Sequence, residues 1–347
     1  MSDRLVSDSV VFVSCADSGE LHVLHLAAAT GQLRTEQVLT LGGQLMPMAL
    51  SPDNAHLYVA RRSDPLAVVT LAVDAVAGRV QVLAEAPLSA SMAHVSTDLT
   101  GRWLLAASYG ADMVSVQSID ADGVVRAAST DTSTYATGRH AHCALTTPDN
   151  RFVLAASLGG GQLHRYRFNA LTGALQPTDP PVFAMPFGTG PRHLCFNTRG
   201  DRAYVLGELD ALVHVLAVDA DSGDLRLLQS LPTLPQGFEG GAWGADLHLS
   251  PDERWLYTSE RNSHTLAGFS VDSSSGLLSP VGHWPTQQQP RGFAITADGR
   301  HLVAAGQASH RVGVHAISPD TGALTLLGEH PVGLNPNWVT MLPLQSV

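Results

Sequence analysis

Lysine is absent from this chain. All 20 basic residues are arginine, set against 31 acidic ones, for a formal net charge of −11. A surplus of negative charge of this kind repels nucleic acid and anionic membranes, so neither is expected as a partner. An anionic ligand would need a local arginine cluster to overcome the global field, and the planar fork of arginine suits carboxylate and phosphate. Aromatic residues are 6% and charged residues 15% of the chain, while Gly numbers 32 and Pro 20. Many turns and few charges suit an all-β protein better than a helical one. There is no apolar run of the length a membrane-spanning helix needs. The opening MSDRLVSDSVVFVS has too short an apolar stretch for a secretion signal, which leads us to expect a cytoplasmic protein. The three cysteines, Cys15, Cys143 and Cys195, are odd in number and lack metal-ligand spacing. They read as buried thiols in a reducing compartment.

What is present is a repeat. A polar turn ending in Gly and followed by an apolar alternation occurs as AAATGQL, DAVAGRV, DADGVV, NALTGAL, DADSGDL, DSSSGLL and SPDTGAL. Its glycines are Gly31, Gly78, Gly123, Gly173, Gly223, Gly276 and Gly322, spaced 47, 45, 50, 50, 53 and 46 apart. In step with them runs a second pattern, an apolar strand, a turn such as SPDN or TADG, and another strand, as in MALSPDNAHLYVA and LHLSPDERWLYTS. Each unit then holds four strands, the size of one propeller blade. The chain starts in what matches a second strand, VVFVS, and stops in what matches a first strand, PNWVTML. The spacing therefore predicts one all-β domain over residues 1–347. It is a seven-bladed β-propeller of four-stranded antiparallel blades, closed by the C-terminal strand joining the N-terminal blade.

A propeller is a scaffold, so function must come from what lines its axis. The residues leaving successive second strands are Arg62, Tyr109, Leu158, Glu208, Arg261 and Gln307, with Ala16 at the same height. Equivalent positions in equivalent units lie on one face. The innermost strands begin with His94, His142, Arg192, His193, Asp246, His248 and Arg291. If each pair of strands forms a hairpin, both sets meet at one mouth of the channel. Filler or rim roles compete for His193, His248, Asp246, Arg62 and Tyr109. Glu208, Arg192 and Arg261 are harder to explain that way, because buried charges need partners. His142, His94, Glu208 and Asp246 could hold a metal by donor type, but the arginines beside them would repel a cation. No metal or other cofactor is expected. LGGGQL lacks the helix and Lys-Ser/Thr of a phosphate loop, and there is no GxSxG elbow.

At these residues the chain resembles the propeller-type 6-phosphogluconolactonases. They are part of a wider seven-bladed lactonase family that includes carboxymuconate-lactonizing enzymes. The likeness runs from VFVSCADSGELHV to NPNWV and is most specific in GPRH, GEL, QPRGF and AAGQASH. The resemblance implies hydrolysis of a sugar δ-lactone, with catalysis by His142, Glu208, Arg192 and Arg261. Arg192 and Arg261 would stabilise the oxyanion and anchor an anionic group. Either Glu208 or His142 would be the base, with the other as proton donor. Arg291, His94, Tyr109, Gln307, His193, Arg62 and Asp246 would bind a small, anionic sugar lactone. A lactonase for unphosphorylated aldonolactones, a muconate cycloisomerase and a non-enzymatic scaffold remain as alternatives. The oligomeric state is expected to be monomer or homodimer.

Overall fold

The computed structural model describes residues 7–127 and 133–345. Among these residues 28 strands group into seven four-stranded antiparallel sheets, and no helix occurs. The first blade joins both ends of the chain. Strand β28 (Pro336–Pro343) lies innermost and pairs with β1 (Ser9–Cys15), in register from Ser9 opposite Pro343 to Ser14 opposite Trp338, with a shift before Cys15 meets Pro336. In the second to seventh blades the strands follow one another in sequence from a first, innermost strand. These are β4 (Leu45–Leu50), β8 (His94–Thr97), β12 (Ala141–Thr146), β16 (Pro191–Phe196), β20 (Gly244–Leu249) and β24 (Pro290–Ile295). Each inner strand touches the next around the ring, and β28 touches both β24 and β4. The predicted split blade and its closure are therefore present.

The core lies between blades rather than within any one of them. Tyr204, Leu206, Val213 and Val215 of the fifth blade pack on Leu247, Leu256, Ala267 and Phe269 of the sixth, and similar layers fill the other junctions. Each sheet is thus buried on both faces near the axis, which is why its second strands read as unbroken apolar runs.

The glycine turns hold the outer edge. All seven repeat glycines have positive φ, from 64° at Gly78 to 74° at Gly123. In several of these turns the preceding Asp or Asn accepts from the turn's own amides, as Asp74 does from Val76 and Ala77. The carbonyls of these glycines tie one blade to its neighbour. Tyr58, Tyr204 and Tyr257 donate their hydroxyls to Gly123, Gly276 and Gly322 of the next blade, at 3.0, 2.9 and 2.7 Å. Arg165 does the same to Gly223 at 2.9 Å.

Removing one such tie leaves a carbonyl short of a donor. We expect Tyr204→Phe to lower unfolding stability by about 1–2 kcal/mol, with no change in the slope of a urea titration. An unchanged midpoint would show that the hydroxyl adds nothing.

Candidate active site

Two backbone devices bring the functional side chains together. The first is the exit of each second strand. The amides of Ala16, Arg62, Leu158, Glu208, Arg261 and Gln307 donate to the residue just before the inner strand of their own blade, at Asn335, Gln44, His140, Gly190, Trp243 and Gln289. These six positions are therefore equivalent, as the sequence predicts. The second device is a register shift near the start of the inner strand. It occurs in six blades, after Leu45, Ala141, Pro191, Gly244, Pro290 and Pro336. A bulge gives the inner strand an extra residue and re-aims its side chains. Arg192 and His193 are neighbours in sequence, yet both are buried and their side chains meet, Nη1 to Nε2, at 3.2 Å.

Glu208 is the centre of the charged cluster. Its Oε2 accepts from Arg192 Nε at 2.9 Å and lies 2.8 Å from Arg261 Nη2. Burial alone would raise its pKa, but Arg192 and Arg261 outweigh that and hold the carboxyl below the ordinary range. Arg192 is fully buried, and its Nη1 also donates to the Ala245 carbonyl. Its Nη2 has no partner among the described residues. Arg261 is braced by the carbonyls of Trp243 and Gly244, and its guanidinium lies 4.1 Å from the Trp243 ring. Burial, then the charge of Arg192, pushes it down to about 10.

Below this cluster the channel is filled with rings. His193 meets His94, His142 and Trp338 at 5.5, 5.1 and 5.5 Å between centroids. His193 accepts from Arg192 at Nε2, so its Nδ1 carries the proton given to Asp246 at 2.7 Å. Asp246 Oδ2 also accepts from His248 at 3.1 Å and from the Phe293 amide at 3.3 Å. Burial opposes ionisation of Asp246, but His248 and His193 more than offset it and hold the carboxyl well below the usual carboxylate range. Burial lowers His94 to about 3 and His193 to about 4, and takes His142 well below the ordinary imidazole value. All three are neutral at pH 7.

The structure brings together Glu208, Arg192, Arg261, His142, His193, His94 and Asp246 through contacts or mutual fields. Arg291 and Arg62 join them electrostatically, since their charges act on one another. Tyr109 sits at the rim, 36% exposed, stacked on His140 at 4.1 Å and edge-on to His142 at 6.1 Å. Gln307 turns aside and donates to Asn335 at 2.7 Å. One placement is corrected. His248 does not share the mouth of the arginines. Two residues beyond Asp246 on β20, it lines a cavity of about 420 Å³ at the end of the inner strands next to the SPD-type turns, a cavity that His94, Asp246 and Trp338 also reach from above. Its place near the start of an inner strand in the sequence said nothing of depth. Cys195 is also only half-buried, whereas Cys15 and Cys143 are buried.

Sequence reasoning missed Trp243, Trp338, Glu260 and His140. The motifs WGADLHL and PNWVTML contain both tryptophans, but an indole in a strand reads as core and carries no signal of its own. Glu260, 1% exposed, accepts from the amides of Trp243 and Ser263, each at 2.6 Å, and so shapes the loop that holds Arg261.

A closed ring of seven sheets with an arginine-rich mouth matches a known protein class. Residues 10–341 fit the family model described as "Lactonase, 7-bladed beta-propeller", and the chain belongs to that family. It is 38% identical to the 6-phosphogluconolactonase of Serratia proteamaculans over 333 residues, covering 96% of this chain and 98% of the relative. It is 36% identical to that of Sodalis glossinidius with the same coverage. Among solved structures, the periplasmic gluconolactonase of Pseudomonas aeruginosa superposes with a TM-score of 0.90 at 27% identity. The match spans 98% of this chain and all of that one. A Lactobacillus plantarum protein gives 0.86 at 25% identity, over 97% and 99% of the two chains. No helix among the described residues is long and apolar enough to cross a membrane.

The buried neutral imidazoles make a stability prediction. The unfolded chain takes up protons near the ordinary imidazole value, while native His94, His142 and His193 do not. The unfolded state then holds more protons, so stability falls as pH drops from about 6.5 toward 4. His248, whose pKa is raised chiefly by Asp246 against the effect of burial, offsets one such group. Denaturant titrations at pH 7.5 and 5 should show the loss. Equal midpoints would contradict the neutral assignment.

Proposed function

We propose that this protein hydrolyses a sugar δ-lactone, 6-phosphogluconolactone, to the open-chain acid. The observation that carries the reading is Glu208. Its Oε2 is held by two guanidinium groups, while its Oε1 makes no hydrogen bond among the described residues. An ionised carboxylate with one free oxygen beside unsatisfied arginine donors suits attack of water on an ester carbonyl. Relatives at 36–38% identity that carry the name 6-phosphogluconolactonase support the substrate.

Water attacks the lactone carbonyl and passes a proton to Glu208 Oε1. The tetrahedral oxyanion is stabilised by the Arg261 guanidinium and by the charge of Arg192 behind it. As the ring C–O bond breaks, Glu208 returns the same proton to the leaving oxygen. His142, held neutral, donates a hydrogen bond to that oxygen and takes no charge. This assigns the base to Glu208 over His142, because the imidazole's positive form is disfavoured by burial and by Arg192. The reading takes residues 1–347 as one catalytic unit acting in the cytoplasm, which its three free thiols suit, as a monomer or homodimer. A second reading, hydrolysis of an unphosphorylated aldonolactone, is favoured by the likeness to the periplasmic gluconolactonase.

Glu208→Gln should lower kcat by about 10²–10⁴-fold on freshly generated 6-phosphogluconolactone, after subtraction of spontaneous hydrolysis. Arg192→Ala should lower kcat/KM to a similar degree. Wild-type rates in both variants would remove the site assignment. The base must be unprotonated, and its pKa lies below the usual carboxyl value. Enzymatic kcat/KM should therefore stay level down to about pH 4.5 and fall only below it. A kcat that already falls steeply between about pH 7 and 5.5 would remove Glu208 as the base.

A further inference from the structure

The four arginines at the mouth are not equivalent. Arg192 and Arg261 share the Glu208 carboxylate. Arg62 and Arg291 have no carboxylate partner among the described residues. Arg62 donates through Nε to Ser91 Oγ at 2.9 Å and lies with Nη1 against the Met46 sulfur. The Nε of Arg291 is buried and unpartnered. Burial, and after it the charges of Arg192, Arg261 and Arg62, press the Arg291 guanidinium well below its ordinary pKa. Arg291 is half-buried and feels the Glu208 carboxylate without forming an ion pair with it, so its guanidinium has capacity left for an anion.

Position around the ring sets Arg62 apart, while Arg291, one blade on from Arg261, borders the paired cluster. Arg192 and Glu208 come from the fifth blade and Arg261 from the sixth. Arg291 comes from the seventh and Arg62 from the second, so they flank the first blade, whose β28 touches both β24 and β4. At the corresponding positions the first blade offers only Ala16 and Asn337. Asn337 is turned to the backbone, giving its amide to the carbonyls of Leu45 and Asn335 at 3.2 and 3.0 Å. Gly292 lets β24 close on β28, since a Cβ there would stand 2.7 Å from the Asn337 carbonyl. The result is a small-walled sector with an arginine on each side, next to the paired sector.

We propose that Arg62 and Arg291 form an anion subsite, distinct from the Arg192–Glu208–Arg261 cluster, that takes the phosphate monoester of a phosphorylated sugar lactone. This rests on the lactonase reading and reassigns the anchoring role that Arg192 and Arg261 were expected to fill. A phosphate on the exocyclic carbon lies several bonds from the reacting carbonyl, so the two charges on such a substrate call for two sites. Division of labour follows. The paired arginines, with their charge already balanced by Glu208, answer the charge that develops during reaction. The unpaired ones answer a charge the substrate brings with it.

The test compares Arg62→Gln, Arg291→Gln and Arg192→Gln on 6-phosphogluconolactone and on glucono-δ-lactone. For Arg62→Gln and Arg291→Gln we expect kcat/KM on the phosphorylated lactone to fall at least tenfold more than on the unphosphorylated one, mainly through KM. Arg192→Gln should depress both alike. Proportional losses on both lactones in the Arg62 and Arg291 variants, or no loss on either, would overturn the subsite while leaving lactonase activity intact. Absence of turnover by the wild type on both lactones would count against the lactonase reading alone. The subsite would then be judged by calorimetry with 6-phosphogluconate and gluconate. Tighter binding of the phosphorylated acid by the wild type, lost in both variants, supports it. Equal binding of the two acids overturns it.

Discussion

Everything at the channel mouth depends on the pairing of β1 with β28. Seven sheets can present their inner strands to a common axis only if the ring shuts, and that one antiparallel ladder shuts it. Closure also removes the exposed sheet edges that an open array would carry. Once the ring is closed, exits and bulges from different blades fall at one height. Residues as distant in sequence as Arg62, Arg192 and Arg291 then share a field.

The fold was legible because it is repetitive. Gly31, Gly78 and their five counterparts mark one backbone need seven times over, and all of them have positive φ. The split blade was legible because the chain starts and stops out of phase with the repeat. The site was legible only in part. Glu208, Arg261 and Arg62 could be found by counting from the SPD-type turns, since exits are in register. Arg192 beside His193 could not be placed by alternation, which sends neighbours to opposite faces. The bulge that overrides alternation leaves no mark in the sequence. Depth was equally hidden, and His248 fell at the wrong end for that reason.

Charge organises the site in two layers. The upper layer is cationic, with Glu208 shared by two arginines. The lower layer is a carboxylate, Asp246, satisfied by His193, His248 and backbone amides. His193 links the two, accepting from Arg192 above and donating to Asp246 below. Its tautomer is thereby set by both neighbours, and the Arg192 side chain gains a fixed stop on the side away from Glu208.

The rings of His94, His193 and Trp338 have a further consequence. They stand across the axis in mutual contact, partway down the hole through the doughnut. These rings narrow the passage, so the arginine end is the wider way in and out. Whatever is made there leaves past the rim of Tyr109 and His140 before the next molecule can enter. A carboxylate product leaving that way passes under the guanidinium groups of the mouth and has reason to linger on the threshold.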